Sequence, residues 1–215
     1  MKRKLFISLT IGFLLSISTV PVFAQTAKDV FNTQTPIFYF GIDFTKAKLI
    51  NDAEANANDI KDRQFDGIND LMVNEAKKYD FAGALRRSEL PNDLGFVAKR
   101  NATIDPDNIK STNSADYNRL KESDIQDAVK AFDFGNNKGI GLLIVMEGMS
   151  KSKKGASMWI TFVDIAAKKV LFTERMEGKG GMAFGFRNYW AVPIRDVVDE
   201  IKKKKYTEWK SKYGG

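Results

Sequence analysis

Three apolar runs joined by connections too short for a crossover constrain the fold more than any other feature of the chain. Residues 139–147 contain Leu142-Leu143-Ile144-Val145-Met146. Seven residues, 150–156, lead to Met158-Trp159-Ile160-Thr161-Phe162-Val163-Asp164, and Ala166-Ala167-Lys168-Lys169 turns into Val170-Leu171-Phe172-Thr173. A parallel crossover takes a dozen or more residues, so these runs read as consecutive antiparallel strands. The second hairpin should be tight, and the first has room for a bulge or a flexible, lysine-bearing tip.

The rest of the chain supplies helices and further strands for that sheet. Pro36 opens Ile37-Phe38-Tyr39-Phe40-Gly41-Ile42-Asp43, a run with the character of a strand buried on both faces. Residues 45–80 read as mainly helical, with Phe65, Ile68, Leu71, Met72, Glu75 and Tyr79 along one stripe. The acids and amides just upstream, Asn51 to Asp59, read as solvated surface, because their spacing does not match a calcium loop. After a turn at Pro91-Asn92-Asp93, residues 94–98 predict a short strand, and the polar stretch 101–117 predicts a long surface connection. Ser123, with Gln126 three residues on, carries a capping-box signature for a helix that buries Ile125, Ala128, Val129 and Phe132. A last helix is expected from Pro193 or slightly earlier, burying Ile194, Val197, Val198 and Ile201. It would end at Lys202-Lys203-Lys204-Lys205, where positive charge complements its dipole. The expected organisation is a flexible leader over 25–35, one domain over 36–210 and a flexible tail over 211–215. Its fold class is α/β (α+β), with a mixed or mainly antiparallel sheet, packed helices and a C-terminal β-hairpin followed by a helix.

The N-terminus reads as a cleavable signal peptide over residues 1–24. Lys2, Arg3 and Lys4 precede an apolar run from Leu5, and Val22-Phe23-Ala24 follows the helix-breaking Pro21. The competing reading is a retained anchor. Ser16, Ser18 and Thr19 interrupt the run, and a spanning helix needs roughly 20 mostly apolar residues. No other stretch has the length and apolarity to cross a bilayer. These features predict an exported protein, most naturally periplasmic, with a peripheral position at the outer membrane as a variant of that reading. The chain has no Cys, which excludes a lipidated Cys, disulfides and thiolate nucleophiles. Cleavage of 24 residues from 215 leaves 191, enough for a core without disulfides. Loss of Lys2, Arg3 and Lys4 lowers the formal charge from +7 to a mild +4. The Lys151, Lys153, Lys154 cluster and the 202–205 block read as a solvated hairpin tip and helix end, and no nucleic-acid partner is expected.

The segment Gly178-Lys179-Gly180-Gly181-Met182-Ala183-Phe184-Gly185-Phe186-Arg187-Asn188-Tyr189-Trp190 is the candidate site. Its glycine amides form a potential anion nest beside Lys179 or Arg187, with Lys179, Gly180, Gly181 and Arg187 as the ligand-binding candidates. It matches neither the Walker pattern nor the dinucleotide fingerprint. Phe184, Phe186, Arg187, Tyr189 and Trp190 have the composition of an interface centre. At least two of these aromatics are expected to pack on the sheet instead, and ordinary glycine-mediated geometry is the third reading of the segment. Asp43, Glu147 and Asp164 end apolar runs, where cap or turn roles outweigh an acid–base pair. With no His and no Cys, the usual proton shuttle and zinc ligands are missing, so no catalytic residue, metal or cofactor is assigned.

From Trp159 to Ile201 the order of strand, Asp164, short turn, Val170-Leu171, glycine segment and terminal helix resembles the closing half of periplasmic domains related to the curli-secretion lipoprotein and neighbouring outer-membrane-associated lipoproteins. The resemblance implies a two- or three-layer α/β domain with an assembly or envelope-associated role. The missing lipidated Cys and pore-forming segment separate this chain from membrane attachment and secretion activity. The expected function is non-enzymatic interaction or assembly, with an envelope protein or a second copy as partner. The alternative is a soluble anionic-ligand-binding protein or hydrolase.

Overall fold

A computed structural model describes residues 24–215, so the expected signal peptide lies outside the described residues except for Ala24. The sheet is mixed and has six strands: β1 (Ile37–Asp43), β2 (Lys48–Ile50), β3 (Lys110–Ser111), β4 (Ile140–Ser150), β5 (Gly155–Asp164) and β6 (Lys169–Lys179). The order is β3-β2-β4-β5-β6, and β1 also lies beside β4. β1 runs parallel to the first half of β4 and β2 to the second, so the two behave as one interrupted strand along its edge. On the other side β5 pairs antiparallel with β4, and β6 with β5. The three runs that dominated the sequence are therefore the expected antiparallel strands.

The first hairpin is tighter than the sequence implied. Ser150 pairs with Gly155, which leaves only residues 151–154 at the tip, and the bulge lies instead within β4, between Met146 and Gly148.

Both faces of the sheet are covered, which accounts for the nearly unbroken apolar run of β4. Leu142, Ile144 and Met146 enter one core with Phe65, Ile68, Trp190, Ile194 and Val198. Leu143 and Val145 enter a second core with Val97, Ile125, Val129 and Phe132. The first face carries a helix over 57–74, formed by Ala57–Asp59, a π turn at Ile60–Gln64 and Phe65–Asn74. It also carries a C-terminal helix over 186–213, formed by Phe186–Glu200, a π turn at Ile201–Lys205 and Tyr206–Tyr213. The short helix Phe81–Ala84 joins them, while Gly95–Asn101 and Glu122–Lys130 contribute to the second face.

Two buried asparagines hold β1 where no strand among the described residues lies outside it. Asn69 accepts from the Ile42 N–H at 2.7 Å and donates to the Ile42 carbonyl at 3.0 Å. Asn101 accepts from the Phe44 N–H at 2.8 Å and donates to the same Ile42 carbonyl at 3.1 Å. Each amide thus supplies a donor and an acceptor, as a neighbouring strand would. Gly41 sits at the accompanying register shift with φ 90°, and a Cβ there would stand 2.9 Å from Asn69 Oδ1.

Several local expectations need correction. Residues 95–98 belong to the helix Gly95–Asn101, with Leu94 as its N-cap, rather than to a strand, because Val97 and Asn101 turn inward one helical turn apart. The 122–130 helix starts one residue before Ser123, since the Lys121 N–H finds Asp124 Oδ2 at 2.8 Å. Gln126 instead accepts from the Val170 N–H and donates to the Lys168 carbonyl, closing part of the β6 edge. Pro193 lies inside the last helix, and Lys202–Lys205 lie in its middle, where Lys202 pairs with Asp80 and Lys205 with Glu174. Residues Ala27–Phe31 form a 3₁₀ turn that buries Val30 and Phe31, and Tyr213 stacks on Phe172 at 4.6 Å.

Candidate functional site

β6 delivers the glycine segment to a crowded junction. A Cβ on Gly178 would stand 1.9 Å from the Pro193 carbonyl oxygen, and one on Gly180 2.8 Å from that of Lys154. The Lys179 N–H donates to Asp196 Oδ2 at 2.8 Å and the Gly180 N–H to the Lys154 carbonyl at 2.6 Å. These glycines let β6 approach the C-terminal helix on one side and the hairpin tip on the other. The Gly180 amide expected in an anion nest, and the Lys179 amide before it, are therefore engaged by protein acceptors.

Beyond this clamp the chain turns outward until Gly185, at φ 80°, starts the last helix. Met182 is 104% and Phe184 96% exposed, the large hydrophobic side chains that stand free in the described residues. They border a groove of about 890 Å³, whose apolar wall continues through Phe186, Tyr189 and Trp190 and whose rim carries Asp52, Glu54, Lys151 and Lys154. Trp190 belongs to the core at 1% exposure, with Tyr189 edge-on at 4.9 Å and Phe186 at 6.2 Å. The aromatic cluster divides: Trp190 packs inside, Phe186 and Tyr189 are half-buried against the same core, and Phe184 projects.

The opposite rim is held by charge. Lys151 Nζ lies 3.0 Å from Asp52 Oδ2, a buried carboxylate in the loop after β2, and ties the hairpin tip to that loop. Lys153 sits over the Tyr117 ring at 4.3 Å. Two of the three clustered lysines therefore have partners, and Lys154 lines the groove.

Of the four ligand-binding candidates, Gly180 and Gly181 line the groove and the two cations do not. Arg187 donates to Gln64 Oε1 at 3.1 Å and to the Arg63 carbonyl at 3.2 Å, bridging the 57–74 and 186–213 helices. Lys179 is held by its backbone N–H, which donates to Asp196 of the last helix.

The three acids occupy separate environments. Asp43 is buried against Arg100 at 2.5 Å and also accepts from Thr45. Glu147, displaced by the β4 bulge, accepts from the Leu120 N–H at 2.5 Å and from Trp159 Nε1 at 3.0 Å, with Arg175 at 3.6 Å. Burial raises its pKa, and those two donors and the Arg175 guanidinium work against the rise. Asp164 accepts from the N–H groups of Gln25 and Ala167. No two of these acids share a donor or a cation among the described residues. Each fixes a loop or turn to the sheet, which is a structural use of a buried carboxylate. No group of three or more Asp or Glu side chains is gathered for a metal ion among the described residues.

Met182, Asp52 and Glu54 were not distinguished by sequence. Met182 carried a readable signal, an apolar side chain within a glycine run and without periodic partners. The two acids had none, because they meet the hairpin only in the folded chain. No family model, curated protein or solved structure matches the chain.

Proposed function

We propose that this protein is a non-enzymatic binding component of the cell envelope, and that its groove receives apolar side chains of a protein partner. The observation that carries the reading is the near-complete exposure of Met182 and Phe184 beside an already formed apolar wall. Large apolar side chains held in water gain nothing for the fold and become favourable only when a partner covers them. The mixed charges of Asp52, Glu54, Lys151 and Lys154 form a polar rim around an apolar centre, as protein interfaces do. Export rests on the N-terminal signal pattern, and the resemblance to curli-secretion-related periplasmic domains supports an assembly role without membrane attachment. No helix among the described residues is long and apolar enough to cross a membrane.

Purification from the native envelope with the double variant Met182→Ser/Phe184→Ser tests the proposal. The wild type should retain a partner that the variant loses, while both melt at the same temperature. Recovery of the wild type solely as a free monomer would defeat it.

A further inference from the structure

The outer edge of β6 has no strand beside it among the described residues. Side chains close that edge at both ends. Near its start Gln126 holds the Val170 N–H and the Lys168 carbonyl, and at its far end Asp196 takes the Lys179 N–H. The stretch between is open. The Gly180 N–H bonds Lys154 across the hairpin while the Lys179 N–H bonds away from it. The pairing with β5 is unbroken from Lys179 back to Phe172, so the alternation of the strand turns the backbone groups of Thr173, Arg175 and Glu177 outward. Their N–H and carbonyl groups have no hydrogen-bond partner among the described residues. Such a row of unpaired groups is a template for another strand.

The side chains select the strand that fits. Arg175 and Glu177, two residues apart, stand on the same face of the sheet. Arg175 lies partly exposed over the Trp159 ring at 5.6 Å, and Glu177 is exposed with no cation of its own among the described residues. Charges on an edge ordinarily repel a second strand, but here the two signs match in one register. An antiparallel second copy of β6, related by a two-fold axis beside Met176, sets Arg175 of each copy opposite Glu177 of the other. These residues then exchange both backbone hydrogen bonds, and the ladder ends where Asp196 already caps Lys179. The adjacent registers set Arg175 against Arg175 or Glu177 against Glu177, and like charges directly opposite are destabilising. We propose that the chain forms a two-fold dimer through β6, joining two sheets into one. Such a contact uses the same patch on both copies, as two-fold interfaces do. Neither Arg175 nor Glu177 lines the groove, so the dimer and the proposed groove partner are independent.

Sedimentation of the purified chain over a range of concentrations tests the dimer. The wild type should show a monomer–dimer equilibrium that weakens as salt rises. Glu177→Pro removes an outward N–H that the monomer does not use, a change edge strands tolerate. It should keep the wild-type circular dichroism and weaken dimerisation about tenfold or more. Glu177→Arg leaves the backbone groups in place but sets like charges opposite, and should weaken it as well. Met182→Ser/Phe184→Ser should dimerise as the wild type does. A nitroxide on Glu177→Cys, in a chain with no other Cys, should show dipolar broadening that dilution with unlabelled chain removes. A wild type that stays monomeric at its highest soluble concentration would overturn the proposal. So would a dimer that withstands both Glu177→Pro and Glu177→Arg, or one lost in the groove variant.

Discussion

Replacing Asn69 isolates the device that secures β1. Its side chain bonds both backbone groups of Ile42, at 2.7 and 3.0 Å, and is 2% exposed. In Asn69→Ala the Ile42 carbonyl keeps its bond from Asn101, but the Ile42 N–H loses its acceptor in a buried setting. An orphaned buried donor costs about 1–3 kcal/mol. The better helix propensity of Ala offsets roughly 0.5 kcal/mol of that, so the expected net loss is about 0.5–2.5 kcal/mol. Asn69→Asp should be worse at pH 7. One carboxylate oxygen still accepts from the Ile42 N–H, but the other faces the Ile42 carbonyl, and the charge is buried. That arrangement raises the folded-state pKa of the introduced acid above its unfolded value. The folded variant therefore holds its proton more tightly, and its deficit should be smallest below the unfolded pKa, where a protonated carboxyl can donate to Ile42. The deficit should grow as pH rises through the folded pKa. Urea titrations of wild type and both variants at pH 5 and pH 7 measure this. An Asn69→Ala loss under about 0.5 kcal/mol, the range of an ordinary surface change, would refute the reasoning. So would an Asn69→Asp deficit that fails to shrink at pH 5.

Gly178→Ala should destabilise by about 1–3 kcal/mol or more, because its Cβ would meet the Pro193 backbone, which cannot rotate away as a side chain can. A thermal melt within error of wild type would contradict the close packing of β6 on the last helix. The pKa of Asp80 is lowered, first by its bond from Lys202 and then by the Gly83 N–H. The advantage of wild type over Asp80→Asn should be present above the unfolded carboxylate pKa, near 3.9, and fade as pH falls through the lower folded value. Melting curves whose separation widens on acidification would contradict that ion pair.

The central sheet was legible because β4, β5 and β6 combine apolar content with connections that permit only antiparallel neighbours. The Leu94-Gly95-Phe96-Val97-Ala98 stretch misled because five residues are too few to separate a strand from one turn of helix. Pro193 and the four lysines from 202 to 205 looked like a helix start and end. The true start is Gly185, and the helix survives both features because Trp190, Ile194, Val198, Ile201 and Trp209 continue into the core. The glycine–aromatic segment was legible as a site by composition, but which aromatics project depends on tertiary packing. The opposite rim, formed when Lys151 meets Asp52, joins residues about 100 positions apart and leaves no local pattern in the sequence.

The surface at Phe184 is where a partner would seat. Met182 and Phe184 bury almost nothing on folding, whereas full burial by a partner would contribute roughly 1.5–3 kcal/mol each, about tenfold to a hundredfold in affinity per side chain. Placing a photoreactive phenylalanine analogue at position 184, in the chain expressed in its own cells, tests the claim most directly. Illumination should give one discrete protein adduct that disappears when Met182→Asp is added. A wild-type background that yields no adduct, with the chain remaining a free monomer, would contradict it.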